Sequence, residues 1–111
     1  MHLVQQARDF LTQTNSPPNT PITYILRLSS GAYYVGATTN LLQRMSDHLA
    51  GAGGKTTREV ESKTLLFAES HPSFSSARKR EAQIKRWSRS KKKALANRDM
   101  ETLRFLSKSH E

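Results

Sequence analysis

The chain has 111 residues, 35% hydrophobic and 24% charged, with 18 Lys+Arg against 9 Asp+Glu and no cysteine. That length builds one domain around one small core, and the lack of cysteine excludes a disulfide scaffold and any zinc site that needs a thiolate. A net charge of +9 favours a polyanionic partner, nucleic acid before an acidic membrane surface. No apolar run approaches the roughly 18 residues of a membrane span, and the opening stretch lacks the basic start and apolar centre of a signal peptide, so the expected location is the cytoplasm.

In chain order, Leu3, Val4, Ala7, Phe10 and Leu11 recur at helical spacing, which predicts a short amphipathic helix. Asn15, Ser16, Pro17, Pro18 and Asn19 then read as a linker. The expected organisation is therefore a helical appendage over 1–14, a linker over 15–21 and a main domain over 22–108. Ile22 to Leu28 is rich in β-branched and aliphatic residues and reads as a strand. Ser29-Ser30-Gly31 signals a turn, and Ala32 to Ala37 reads as the returning strand of a hairpin. Thr38, Thr39 and Asn40 offer helix caps, and Leu41 to Leu49 reads as a helix with Leu42, Met45 and Leu49 inward and Leu41, Arg44 and His48 on the next stripe. Gly51, Gly53 and Gly54 open a loop carrying Lys55 and Arg58. Its spacing is not that of a P-loop, and a basic loop that touches a substrate backbone is the better reading.

Thr64 to Glu69 reads as a third strand, broken by His71-Pro72. Ser75 or Ser76 is expected to cap a helix from Ala77 to Ser88 with Ile84 and Trp87 inward. Two short helices follow, Lys91 to Ala96 and Met100 to Lys108, with Ser90 and Asp99 as caps and Met100, Leu103 and Leu106 inward. The order α-β-β-α-β-α-α implies an α+β fold, a small three-stranded, mostly antiparallel sheet flanked by helices.

Charge is concentrated toward the C-terminal end. Residues 1–76 carry a net +1 and residues 77–111 a net +8. Ala77 to Lys93 holds nine cations, Arg78, Lys85, Arg86 and Arg89 among them, with Glu81 the one acid. Such a run releases counterions when it meets phosphates. A carboxylate inside it opposes that binding unless it has work to do. Holding Mg²⁺ or Mn²⁺ against a phosphate is one such task, and i−3 and i+4 ion pairs to Arg78 and Lys85 are the plainer alternative. Arg44 and His48 are one helical turn apart, an arginine suited to charge on a phosphate and a histidine suited to proton transfer. In the hairpin, Tyr24 and Tyr34 can meet on one sheet face.

Taken in order, Thr23-Tyr24, Tyr34-Val35-Gly36, Arg44, His48 and the isolated Glu81 resemble the GIY-YIG nuclease family, and most closely its small members related to the UvrC N-terminal nuclease domain. The resemblance runs from about Ile22 to Lys108. Of the first motif only Tyr24 is matched, and Asn97 is the nearest counterpart of an asparagine that many members carry late in the domain. The resemblance implies a divalent-metal-dependent endodeoxyribonuclease with Tyr24, Tyr34, Arg44, His48 and Glu81 as catalytic residues and one Mg²⁺ or Mn²⁺ held by Glu81. Tyr24 and His48 both remain open as the base. Lys55, Arg58, Arg78, Lys85, Arg86 and Arg89 are the expected nucleic-acid contacts. No separate DNA-reading module is present, which favours single-stranded or branched DNA, with Tyr33, Phe74 or Trp87 available to stack on unpaired bases and Trp87 the most expected in the core. A non-catalytic nucleic-acid-binding module is the alternative.

Overall fold

The computed structural model describes residues 2–50 and 63–108. Its elements are α1 (His2–Gln13), β1 (Ile22–Leu28), β2 (Tyr33–Thr38), α2 (Leu41–Leu49), β3 (Lys63–Ser70), α3 (Phe74–Lys85), α4 (Arg89–Ala96) and α5 (Met100–Lys108). The sheet order is β2-β1-β3, antiparallel throughout. This is the α+β arrangement of a three-stranded sheet between helices that the element order implies.

β1 is central and buried on both faces, which is why it reads as a nearly continuous apolar run and not as an alternating one. Ile22, Tyr24, Leu26 and Leu28 pack with Leu3 and Ala7 of α1 and Leu41 and Met45 of α2. Ile25, on the other face, packs with Val35, Phe67, Ile84 of α3 and Leu95 of α4. The hairpin register sets Tyr24 opposite Gly36 and Leu26 opposite Tyr34. Its turn depends on Gly31, whose φ of 91° lies where a side chain is strained. On the β3 side the register slips between Ile25 and Leu26, a bulge that leaves Leu66 without a partner on β1.

α1 is integral to the core. Leu3 and Ala7 are fully enclosed, and the Gln6 side-chain amide both accepts from Leu65 N (2.9 Å) and donates to Leu65 O (3.4 Å) on the outer edge of β3. The helix thus engages the sheet both through side-chain packing and through strand-like hydrogen bonds. A left-handed Asn15 (φ 51°) ends it, with Ser16 N donating to Leu11 O, a helix stop that asparagine tolerates.

Four helices differ in detail from the sequence expectation. α2 is rolled: its buried residues are Leu41, Met45 and His48, and Leu49 is 42% exposed. Hydropathy places Leu49 inward only if His48 stays outside, and His48 is admitted because the core offers it a polar partner. α3 begins one turn earlier than expected. Ser73, directly after Pro72, caps it in a reciprocal box with Ser76, the first serine able to do so once β3 has ended. Ser88 caps α4, so Trp87 falls in the joint between two helices and not on α3. In α5, capped by Asp99 through Thr102 N, Met100 is exposed and no residue is fully buried.

Leu3 tests the place of α1 in the core. Leu3→Ala is expected to lower stability by about 2–4 kcal/mol, measured by urea denaturation. A surface-docked helix would lose a few tenths.

Candidate active site

The site forms where the hairpin meets α2. Tyr24 and Tyr34 lie diagonally across β1 and β2 on the face that α2 covers, and His48 comes down from the last turn of α2. The three rings form a triangle, with centroid separations of 6.3 Å (Tyr24–Tyr34), 5.9 Å (Tyr24–His48) and 5.0 Å (Tyr34–His48). Both tyrosines meet the imidazole edge-on, at 77°. Tyr24 Oη and His48 Nε2 are hydrogen-bonded at 3.0 Å. The phenol lies directly over Gly36, where a Cβ would stand 2.5 Å from Tyr24 Oη and 2.6 Å from Cζ. Only glycine fits there while Tyr24 holds its place.

Burial sets the proton balance. It pushes the Tyr24 phenol above its ordinary value, helped by Tyr34, Glu81 and Asp47, while Arg44 pulls the other way. It lowers His48 to about 4, with the Arg44 and Lys63 charges adding to the effect and Asp47 opposing it. At neutral pH the pair is therefore a neutral phenol on a neutral imidazole. Either the phenol O–H donates to Nε2 or Nε2–H donates to the phenol oxygen, and only the first lets the histidine receive the phenolic proton. His48 Nδ1 has no hydrogen-bond partner among the described residues.

Arg44, one turn before His48 and half-buried, and Glu81, on α3, both act electrostatically on Tyr24. The Glu81 side chain is 14% exposed, with Oε1 paired to Arg78 (3.2 Å) and Oε2 to Lys85 (2.8 Å). Tyr24, Tyr34 and His48 thus touch one another, and Arg44 and Glu81 bring opposite charges to bear from two sides. Among the contacts expected for nucleic acid, Arg78, Lys85, Arg86 and Arg89 are exposed along α3 and α4. Lys55 and Arg58 lie outside the described residues. Asn97 is the C-cap of α4, a structural position.

Lys63 was not singled out from sequence. Its Nζ is buried and donates to His48 O at 2.8 Å, holding the C-terminal end of α2, and burial lowers its pKa. A lone lysine before a strand carries no pattern, so sequence offers no signal for it.

Among the described residues no three His, Cys, Asp or Glu side chains cluster as a metal cage. The donor set still suits a hard divalent ion with one protein ligand. Glu81 offers carboxylate oxygens, and the partners on them, Arg78 and Lys85, are long, exposed side chains that can swing aside.

The family model for the GIY-YIG catalytic domain matches residues 20–94, which include all five of these side chains. The chain belongs to the GIY-YIG nuclease family. Members of this family generally use divalent metal ions and act on DNA. Similar proteins include a UPF0213 protein of Halobacterium salinarum, 44% identical over 65% of this chain and 94% of its own length. A UPF0213 protein of Streptococcus sanguinis is 41% identical over 64% of this chain and 82% of its own. The solution structure of the UPF0213 protein BH0048 from Bacillus halodurans covers 70% of this chain and 83% of its own, at 33% identity and a TM-score of 0.47. The GIY-YIG match leaves α1 and α5 outside. No helix among the described residues is long and apolar enough to cross a membrane.

Gly36→Ala is expected to displace the Tyr24 phenol and cost about 1–3 kcal/mol through overpacking, measured by urea denaturation. Tyr24→Phe should relieve the clash only in part, because Cζ is itself 2.6 Å from the added carbon. Unchanged stability in Gly36→Ala would contradict this packing. For His48, the unfolded chain takes up a proton below the ordinary 6.5 and the folded chain only near 4. Stability should therefore fall as pH drops through that window, by on the order of 3 kcal/mol in all. A ring titrating near 6.5 by NMR would refute it.

Proposed function

We propose that this protein is a divalent-metal-dependent endodeoxyribonuclease that hydrolyses phosphodiester bonds and selects single-stranded or branched DNA. The observation that carries the reading is the Tyr24–His48 pair closed over Gly36, lying in the fields of Arg44 and Glu81. A core needing only packing has no use for a buried phenol–imidazole hydrogen bond under the influence of two opposite charges.

Glu81 would hold Mg²⁺ or Mn²⁺, and a bound ion supplies positive charge to the phosphate and the leaving 3′ oxygen. Arg44 supplies fixed positive charge where negative charge grows on the phosphorus-bound oxygens. The order of burial supports the reading of the remaining roles. His48 has no exposed surface and Tyr24 is 1% exposed, whereas Tyr34 is half-buried and outermost. Tyr34 meets the attacking water, and Tyr24 and His48 hold that ring in place from behind. His48, with no exposed surface, acts through the two phenols it touches and not on the substrate. The exposed cations of α3 and α4 grip the backbone, and their affinity should weaken steeply with salt. A non-catalytic binding module is the second reading, favoured by one feature: both Glu81 oxygens are already paired with cations.

End-labelled single-stranded, duplex and flapped DNA, incubated with Mg²⁺, Mn²⁺ or EDTA, separates the two. Cleavage should require metal, and Glu81→Ala should reduce it by at least about 100-fold while binding is kept or tightened, since the substitution removes the one negative charge among nine cations. Salt-sensitive binding without cutting on any substrate would select the binding module. The rate of the wild type should show no inflection near pH 4, where His48 would show one if it were the base.

A further inference from the structure

The sequence offers three aromatic side chains to unpaired bases, and the structure separates them. Trp87 is taken: Lys91 Nζ lies 4.3 Å and Arg80 Cζ 5.2 Å from its ring centroid, and Arg80 is itself bound to Glu69 and Gln83. Phe74 has Arg78 at 5.7 Å, and Arg78 is held by Glu81. Tyr33 differs. It is half-buried at the start of β2, its inner side packed on the Ile25–Phe67–Ile84 cluster. Arg27 is its cross-strand neighbour, and the Arg89 guanidinium covers its ring at 4.4 Å. Arg89 is fixed there by donating from Nη2 to Gly31 O at 2.8 Å. Both arginines are exposed, and among the described residues neither pairs with a carboxylate.

The guanidinium of an exposed arginine thus lies over a ring and is anchored by the hairpin turn. Such a surface suits a nucleobase, because bases stack on guanidinium planes as well as on aromatic rings. Its position bears on the nuclease site. β2 is an edge strand, and Tyr33 is next to Tyr34 on it, with its side chain on the opposite face of the sheet. We infer that Arg89 and Tyr33 form a stacking subsite for one unpaired base on a strand that crosses the β2 edge from the Tyr24–Tyr34–His48 site, with Arg27 meeting an adjacent phosphate. The subsite rests on the nuclease reading for its purpose, and it gives a physical origin to a preference for unpaired DNA. A base inside a duplex has both faces covered by its neighbours and cannot use it.

The test is a binding experiment, so it stands apart from cleavage. Single-stranded oligonucleotides carrying 2-aminopurine at successive positions, and their duplex counterparts, are titrated with Glu81→Gln protein in EDTA. Stacking predicts quenched fluorescence at one or two positions of the single strand only. Arg89→Lys, which keeps the charge but loses the plane, and Tyr33→Leu should each abolish that quench and weaken single-strand binding about 5- to 30-fold, with duplex binding changed less than about twofold. Tyr33→Phe, which keeps the ring, should behave as the parent. If Tyr33→Leu fails to fold, Arg89→Lys on the surface decides alone. A quench that survives Arg89→Lys, or a loss equal on single strand and duplex, overturns the subsite. Intact stacking in a wild type that cuts nothing would leave the subsite standing and remove the nuclease reading instead.

Discussion

The phenol of Tyr24 occupies the space that a side chain at position 36 would need. That exclusion ties the two hairpin strands together at one point and fixes where the hydroxyl ends up. From there it reaches His48 Nε2 at 3.0 Å, which draws the last turn of α2 onto the sheet with the imidazole inward. Arg44, one turn back on the same helix, is then set beside the pair. A one-residue slip of the β1–β2 register would point Tyr24 to the α3 side and dissolve the arrangement. Because β1 is apolar on both faces, the turn at Gly31 and the fit of Tyr24 over Gly36 guard against that slip.

The polar groups buried with this pair are unequal partners. His48 and Lys63 are both held where charge is costly, and burial moves both toward their neutral forms. Lys63 nonetheless donates to the carbonyl of His48, at the end of a helix where a cation meets the negative end of the dipole. The same ammonium disfavours a proton on the His48 ring. One lysine therefore steadies the backbone of α2 and helps keep the His48 ring neutral.

Much of this was legible in the sequence. The strand run from Ile22, the Ser29-Ser30-Gly31 turn, and the helix from Leu41 to Leu49 all follow from local chemistry, and so does the α+β arrangement. The ordered spacing from Tyr24 to Glu81 marks the family. Less legible were the features that depend on a partner distant in the chain. The inward turn of His48 needs the Tyr24 hydroxyl, and hydropathy alone sends Leu49 there instead. The early start of α3 depends on which of several serines follows the strand end in space. The role of Lys63 depends on where α2 stops. α1 reads as a separable helix because a proline-rich stretch follows it, and that stretch says nothing about whether the helix folds back.

The Gln6 contact with Leu65 has a consequence beyond anchoring α1. An outermost strand presents unpaired backbone donors and acceptors, and two such edges from different molecules join readily into a continuous sheet. The Gln6 amide occupies both groups of Leu65, and the guanidinium of Arg98 approaches Ala68 O a few residues along. The two side chains, one from each end of the chain, lie outside the family's matched span. They take up backbone groups on the open edge of β3, the groups through which another strand would join.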